Sequence, residues 1–148
     1  YCTMFEPVAS EYEKAGKGYV VASVGEASGE VPYTCYIARE NYIAENEEVI
    51  EGFLRAVMRG IAYVNGSGDA EAAKLLAPYF DGTELSSIET SMKSYKAIDA
   101  WQTDMTMTED AFDRLQDIID NAGELERRVE FADLVDTSYS SAVYASLN

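Results

Sequence analysis

Few side chains in this chain combine reactive chemistry with a place that could present it. Glu6 stands between an apolar run, Tyr1-Cys2-Thr3-Met4-Phe5, and Pro7, which opens a helix. A carboxylate there can accept a hydrogen bond from a ligand amine, or it can cap the helix behind it. Tyr33 and Thr34 offer a phenol and a hydroxyl inside another apolar run, Val31 to Ala38. Neighbouring strand side chains point to opposite faces, so at most one of the two touches a ligand directly; either could instead be core packing. Phe5 fits a core position better than a stacking platform. Trp101, with Tyr95 and Met105 nearby in sequence, could form an aromatic shelf, although packing in a loop between helices accounts for it better.

Other clusters read as local structure. Glu47, Glu48 and Glu51 crowd the start of a helix, where they complement its positive end without further oxygen ligands to make a cation site. Asp81-Gly82-Thr83-Glu84 is a turn and a cap that lacks the ladder of a calcium loop. Asn65-Gly66-Ser67 matches a glycosylation sequon, a pattern too short to carry weight. No glycine-rich phosphate loop or paired-cysteine motif occurs, so no cofactor or metal is expected.

Composition removes whole classes of chemistry. The 148 residues include no histidine, so a Ser-His-Asp triad, a histidine base and a histidine-ligated metal cannot be built from them. Cys2 and Cys35 are too few and too far apart for a zinc cluster, and their apolar surroundings predict buried free thiols. With 27 Asp and Glu against 11 Lys and Arg, the net charge of −16 argues against nucleic acid and anionic membranes as partners. It leaves the sign of a small ligand open, because a local arginine or helix end can overrule the global field. A hydrophobic content of 47% supports a packed core.

The elements that must position these groups divide near Arg39. Before it, three runs read as strands: 1–5, Tyr19 to Val24, and 31–38. Pro7 starts the helix after the first run and Gly16 stops it, with Val8, Ala9 and Tyr12 as its apolar face. Gly25 to Glu30 reads as a loop or hinge. After Arg39 the periodicity is helical. Asn46 caps a long helix whose inward stripe is Ile50, Phe53, Leu54, Val57, Met58, Ile61 and Val64. Asp69 caps a shorter helix with Ala72, Ala73, Leu75 and Leu76 inward. Leu85, Ile88, Met92 and Tyr95 form the face of the next helix. Thr108, followed by Glu109 and Asp110, caps another that carries Phe112, Leu115, Ile118 and Ile119 and stops at Gly123. A last helix holds Tyr139, Val143, Tyr144 and Leu147. Three crowded strands cannot cover a sheet alone, so the chain reads as the C-terminal part of a larger α/β protein. Apolar helix stripes without a complete sheet beneath them predict exposed apolar surface and pairing with another chain, including a homo-oligomer.

Taken in order, these segments resemble the C-terminal half of the extracytoplasmic solute-binding proteins of ABC importers. The group is the one for alkanesulfonate, nitrate, taurine and thiamine-pyrimidine ligands. The resemblance rests on Phe5-Glu6-Pro7, Val31-Pro32-Tyr33-Thr34, the helix Val49 to Ala56 with Gly60 to Val64, and Ala72-Ala73. Thr108 to Gln116, Ala122-Gly123 and Asp133 to Asp136 continue it to the tail. The resemblance implies an α/β, periplasmic-binding-protein-like fold of type II. Residues 1–30 would end the second lobe, 31–38 would be the returning hinge strand, and 39–148 the helical part of the first lobe. It implies ligand contacts at Glu6, Tyr33 and Thr34, no catalytic residue, an extracytoplasmic or lipoprotein location, and a membrane permease as partner. A pyrimidine-synthase-like enzyme on the same scaffold and a ligand-sensing domain of a regulator remain the alternatives.

Overall fold

The computed structural model describes residues 1–147, and every regular element among them is helical. In chain order these are α1 (Val8–Lys14), α2 (Val24–Ser28), α3 (Glu40–Glu45), α4 (Glu47–Gly66) and α5 (Asp69–Leu76). A 3₁₀ turn at Ala77–Tyr79 leads to α6 (Leu85–Ala97), then α7 (Glu109–Asn121), α8 (Phe131–Leu134) and α9 (Ser138–Leu147). The expected α/β, periplasmic-binding-protein-like architecture is therefore corrected: no strand forms among the described residues. A strand exists only through the ladder that satisfies its backbone groups, and these runs form no such ladder among the described residues. Their side chains face solvent instead, with Tyr19 86%, Tyr33 77% and Ile37 90% exposed. Cys2 and Cys35 are free, as expected, but both are exposed rather than buried. Phe5, expected in a core, is exposed as well.

The segment read as a hinge loop is partly helical. Ser23 sits ahead of α2, its hydroxyl accepting the Glu26 N–H at 3.2 Å and its carbonyl accepting the Ala27 N–H at 3.2 Å. Ser23-Val24-Gly25-Glu26 has the spacing of a capping box, a signal masked by the β-branched run before it.

Contacts group the chain into two units, the first comprising Tyr1–Ala27 with Gly60–Thr103. Here α5 and α6 pack together through small side chains. Ala72, Ala73, Ser87 and Ser91 are buried alongside Ile88 and Met92, and Ser91 satisfies its hydroxyl on the Ser87 carbonyl at 2.8 Å. The expected α5 and α6 faces are only partly those that bury, since Leu75 and Leu85 remain exposed. In α1 the buried residue is Ser10, whereas Val8 and Tyr12 face outward. Lys14 ties α1 to α6 by donating to Ser86 Oγ at 2.6 Å and Ser87 Oγ at 3.3 Å. Lys96 closes the turn between α4 and α5, donating to the Ser67 carbonyl at 2.7 Å and pairing with Asp69 at 3.0 Å.

The second unit comprises Ser28–Arg59 with the chain from Asp104 on. Asn46 separates α3 from α4, though not as a side-chain cap. Its carbonyl accepts Val49 N–H and Ile50 N–H, while its amide reaches back to the Tyr42 carbonyl at 2.8 Å. The α4 stripe holds its direction: Met58 is buried, Ile50, Leu54, Val57, Ile61 and Val64 are half-buried, and Phe53 lies outside, edge-on to Tyr36 at 4.7 Å. Thr108 caps α7 as expected, its hydroxyl accepting Ala111 N–H at 3.2 Å. Gln116 latches the following loop to α7: Oε1 accepts the Val129 N–H at 2.8 Å and Nε2 donates to the Val129 carbonyl at 3.1 Å. Arg128 pairs with Asp117 and, at 3.7 Å, with Asp120. Phe131 then meets buried Phe112 edge-on at 5.6 Å, and Val143 anchors α9.

Candidate functional site

Glu6 accepts the Ser10 N–H on Oε2 at 3.1 Å, so its carboxylate serves the open end of α1. It belongs to the first unit, while Tyr33 and Thr34 lie in the second, in the irregular segment before α3, both exposed. The acidic start of α4 is engaged in structure. Glu47 accepts the Tyr139 hydroxyl at 3.1 Å, and Glu51 pairs with Arg55 at 2.8 Å. Burial, and then the bond to Glu47, raises the Tyr139 phenol above its ordinary value. A shallow open concavity of about 430 Å³ lies at Ala44–Val49, walled by Glu45, Glu47 and Glu48. Among the described residues no group of His, Cys, Asp or Glu side chains is arranged to hold a metal ion. No described helix is long and apolar enough to cross a membrane.

A more distinctive arrangement sits at the C-terminal end of α6. Asp99 N–H bonds to the Lys96 carbonyl at 3.2 Å and Ala100 N–H to the Tyr95 carbonyl at 3.0 Å. This paired pattern is a Schellman cap, with Asp99 in the left-handed position at φ 53°. Beyond it, Trp101 stands edge-on to Tyr95, with ring centres 6.0 Å apart and planes at 85°. The Trp101 carbonyl accepts from Asn65 Nδ2 at 3.0 Å. Its indole N–H is buried and has no acceptor, alone in this among the side-chain polar atoms of the described residues. Buried donors are nearly always paired, and one left dry and unpaired costs roughly 1–3 kcal/mol. The sequence supplied the aromatic pair; the orphaned donor depends on tertiary geometry, whereas the left-handed cap closes within residues 95–100.

No protein-family model and no solved structure matches the chain. It is similar to a Bacillus subtilis (strain 168) protein described as "Putative binding protein YtlA", with 35% identity over 143 residues. The match covers 97% of this chain but 43% of that relative, so the chain spans less than half of the relative's length. The likeness therefore supports a binding role in general terms.

Proposed function

We propose that the protein is the solute-capturing component of an ABC importer. It would act outside the cytoplasmic membrane and deliver a small polar organic solute to a permease. The solute class is that of sulfonates, nitrate or taurine-like solutes, or a thiamine-precursor pyrimidine. The observation that carries the reading is the 35% identity, along nearly the entire chain, to a protein described as a binding protein. The sequence resemblance described above narrows binding to solute capture, and these 148 residues contribute no histidine as a general base. Glu6, Tyr33 and Thr34 remain the proposed ligand contacts, with the Glu6 carboxylate as acceptor for a ligand donor.

The test is calorimetry of the full-length protein against ethanesulfonate, taurine, nitrate and hydroxymethylpyrimidine. One of these should bind with micromolar or tighter affinity, about −8 kcal/mol or more. Glu6→Ala and Tyr33→Ala should weaken that binding roughly tenfold or more. Absence of binding by every probe at millimolar concentration would reject the reading.

A further inference from the structure

Asn65-Gly66-Ser67 is too short a pattern to carry weight as a sequon, but its first two residues have a chemistry of their own. Within the sequence, Asn65 alone among the asparagines precedes a glycine. The two are the last residues of α4, and both are exposed. Gly66 has no β-carbon to shield its nitrogen, and nothing outside its own stretch of helix lies within 4 Å of where one would stand. That nitrogen can attack the neighbouring amide carbon and close a five-membered ring. A helical backbone holds the two atoms apart, but the final turn of a helix frays at little cost.

The Asn65 amide also holds a remote contact, since Nδ2 donates to the Trp101 carbonyl at 3.0 Å. This bond ties the end of α4 to the irregular segment after α6, both within the first unit. Next to it, the Ser67 N–H reaches the Tyr63 carbonyl at 2.8 Å, and the Ser67 carbonyl accepts from Lys96 at 2.7 Å.

We propose that Asn65 deamidates spontaneously, and that its products release the segment after α6 from the end of α4. The Gly66 nitrogen loses its proton to base and forms a bond to Asn65 Cγ. The Cγ–Nδ2 bond breaks, and the departing nitrogen takes a proton from water and leaves as ammonia. One water then opens the ring: cleavage at Cγ gives aspartate, and cleavage at the main-chain carbonyl gives isoaspartate. Nothing is oxidised or reduced. Either product lacks the amide N–H that the Trp101 carbonyl accepts, and adds a carboxylate at the negative end of α4. Isoaspartate also carries the main chain through an extra carbon, which takes the Ser67 N–H out of register with Tyr63. The change runs one way, and it stands apart from solute capture.

The experiment incubates the full-length protein at mildly alkaline pH and maps the tryptic peptide 60–74, whose sole asparagine is Asn65. That peptide should gain about one mass unit, as NH gives way to O, at a rate proportional to hydroxide. Asp81-Gly82 can close the same ring, but only by losing and regaining water and in a different peptide. Unfolding in urea should speed the gain roughly fivefold or more, because it removes both the last turn and the Trp101 tether. Gly66→Ala should slow it severalfold, in urea as in the native state. Asn65→Asp carries the aspartate product from the start, so hydrogen exchange across residues 98–104 should quicken roughly fivefold. A native protein whose peptide keeps its mass while the urea-unfolded chain gains, or a gain that Gly66→Ala leaves unchanged, would overturn the deamidation. Exchange in Asn65→Asp that matches the parent would overturn the release.

Discussion

Gln116→Met tests the latch that holds the loop after α7. Methionine keeps the length and apolar body of the side chain but cannot exchange hydrogen bonds with Val129. In the native protein the Val129 N–H is accepted at 2.8 Å and its carbonyl receives a donor at 3.1 Å, with Gln116 only 6% exposed. Each lost partner costs roughly 1–3 kcal/mol when the remaining group stays dry. Val129 is half-buried, so water recovers part of this and the low end applies to each bond. The expected loss is about 2 kcal/mol, or roughly 4–8 °C in unfolding midpoint for a chain of this size. Urea titration followed by helical circular dichroism measures it.

Gln116→Glu sharpens the test. A carboxylate still accepts the Val129 N–H but opposes the carbonyl, while a protonated carboxyl donates to it. Burial and that hydrogen bond both favour the protonated form, so the new carboxyl titrates above its unfolded value of about 4.3. With the folded value raised, the benefit of protonation is fully present below the unfolded value and is lost as pH rises through the folded one. The variant should therefore approach the native protein near pH 4 and fall behind it at pH 7. A Gln116→Met variant within about 0.5 kcal/mol of the parent, or a Gln116→Glu deficit independent of pH, would refute the latch.

Two further outcomes follow from single contacts. Gly29 has φ 70°, and a methyl group added there would lie 2.6 Å from Arg114 Nη1, which donates to the Glu30 carbonyl at 3.3 Å. Gly29→Ala should thus cost about 1–2 kcal/mol by thermal unfolding, and a neutral result would mean that this turn is not formed. Asp136 is held below the usual carboxylate range, first by the Ser138 hydroxyl and then by the Ser138 N–H. With the folded value depressed, its contribution is present at neutral pH and lost as pH falls through that value. Asp136→Ala should therefore be less stable than the parent at pH 7 and converge with it in acid. Parallel pH profiles would count against this.

Much of the helical half was legible because its signals are local. Thr108 caps α7 with its own hydroxyl, and Gly16 and Gly123 stop α1 and α7, each a decision taken within one turn of chain. The α4 stripe is likewise set by a 3.6-residue period within one segment, which is why its direction survives even where burial is partial. The runs before Arg39 failed for the opposite reason. Tyr19 to Val24 and Val31 to Ala38 carry strand propensity, but a strand is completed by a partner that periodicity cannot supply.

The candidate site divides along the same line. Charge and the absence of histidine are sequence properties, and they keep histidine chemistry out of these 148 residues; the binding reading came from the family resemblance. That Glu6 serves the α1 terminus was one of its two readings in the sequence. That Gln116 grips Val129, that Asp99 turns left-handed, and that the Trp101 N–H is buried without an acceptor could not be read there. The Asp99 turn is local and escapes notice because no glycine marks it, whereas the first and last depend on which backbone groups a side chain meets 13 residues away or on what closes over an atom. Only tertiary packing decides those distances.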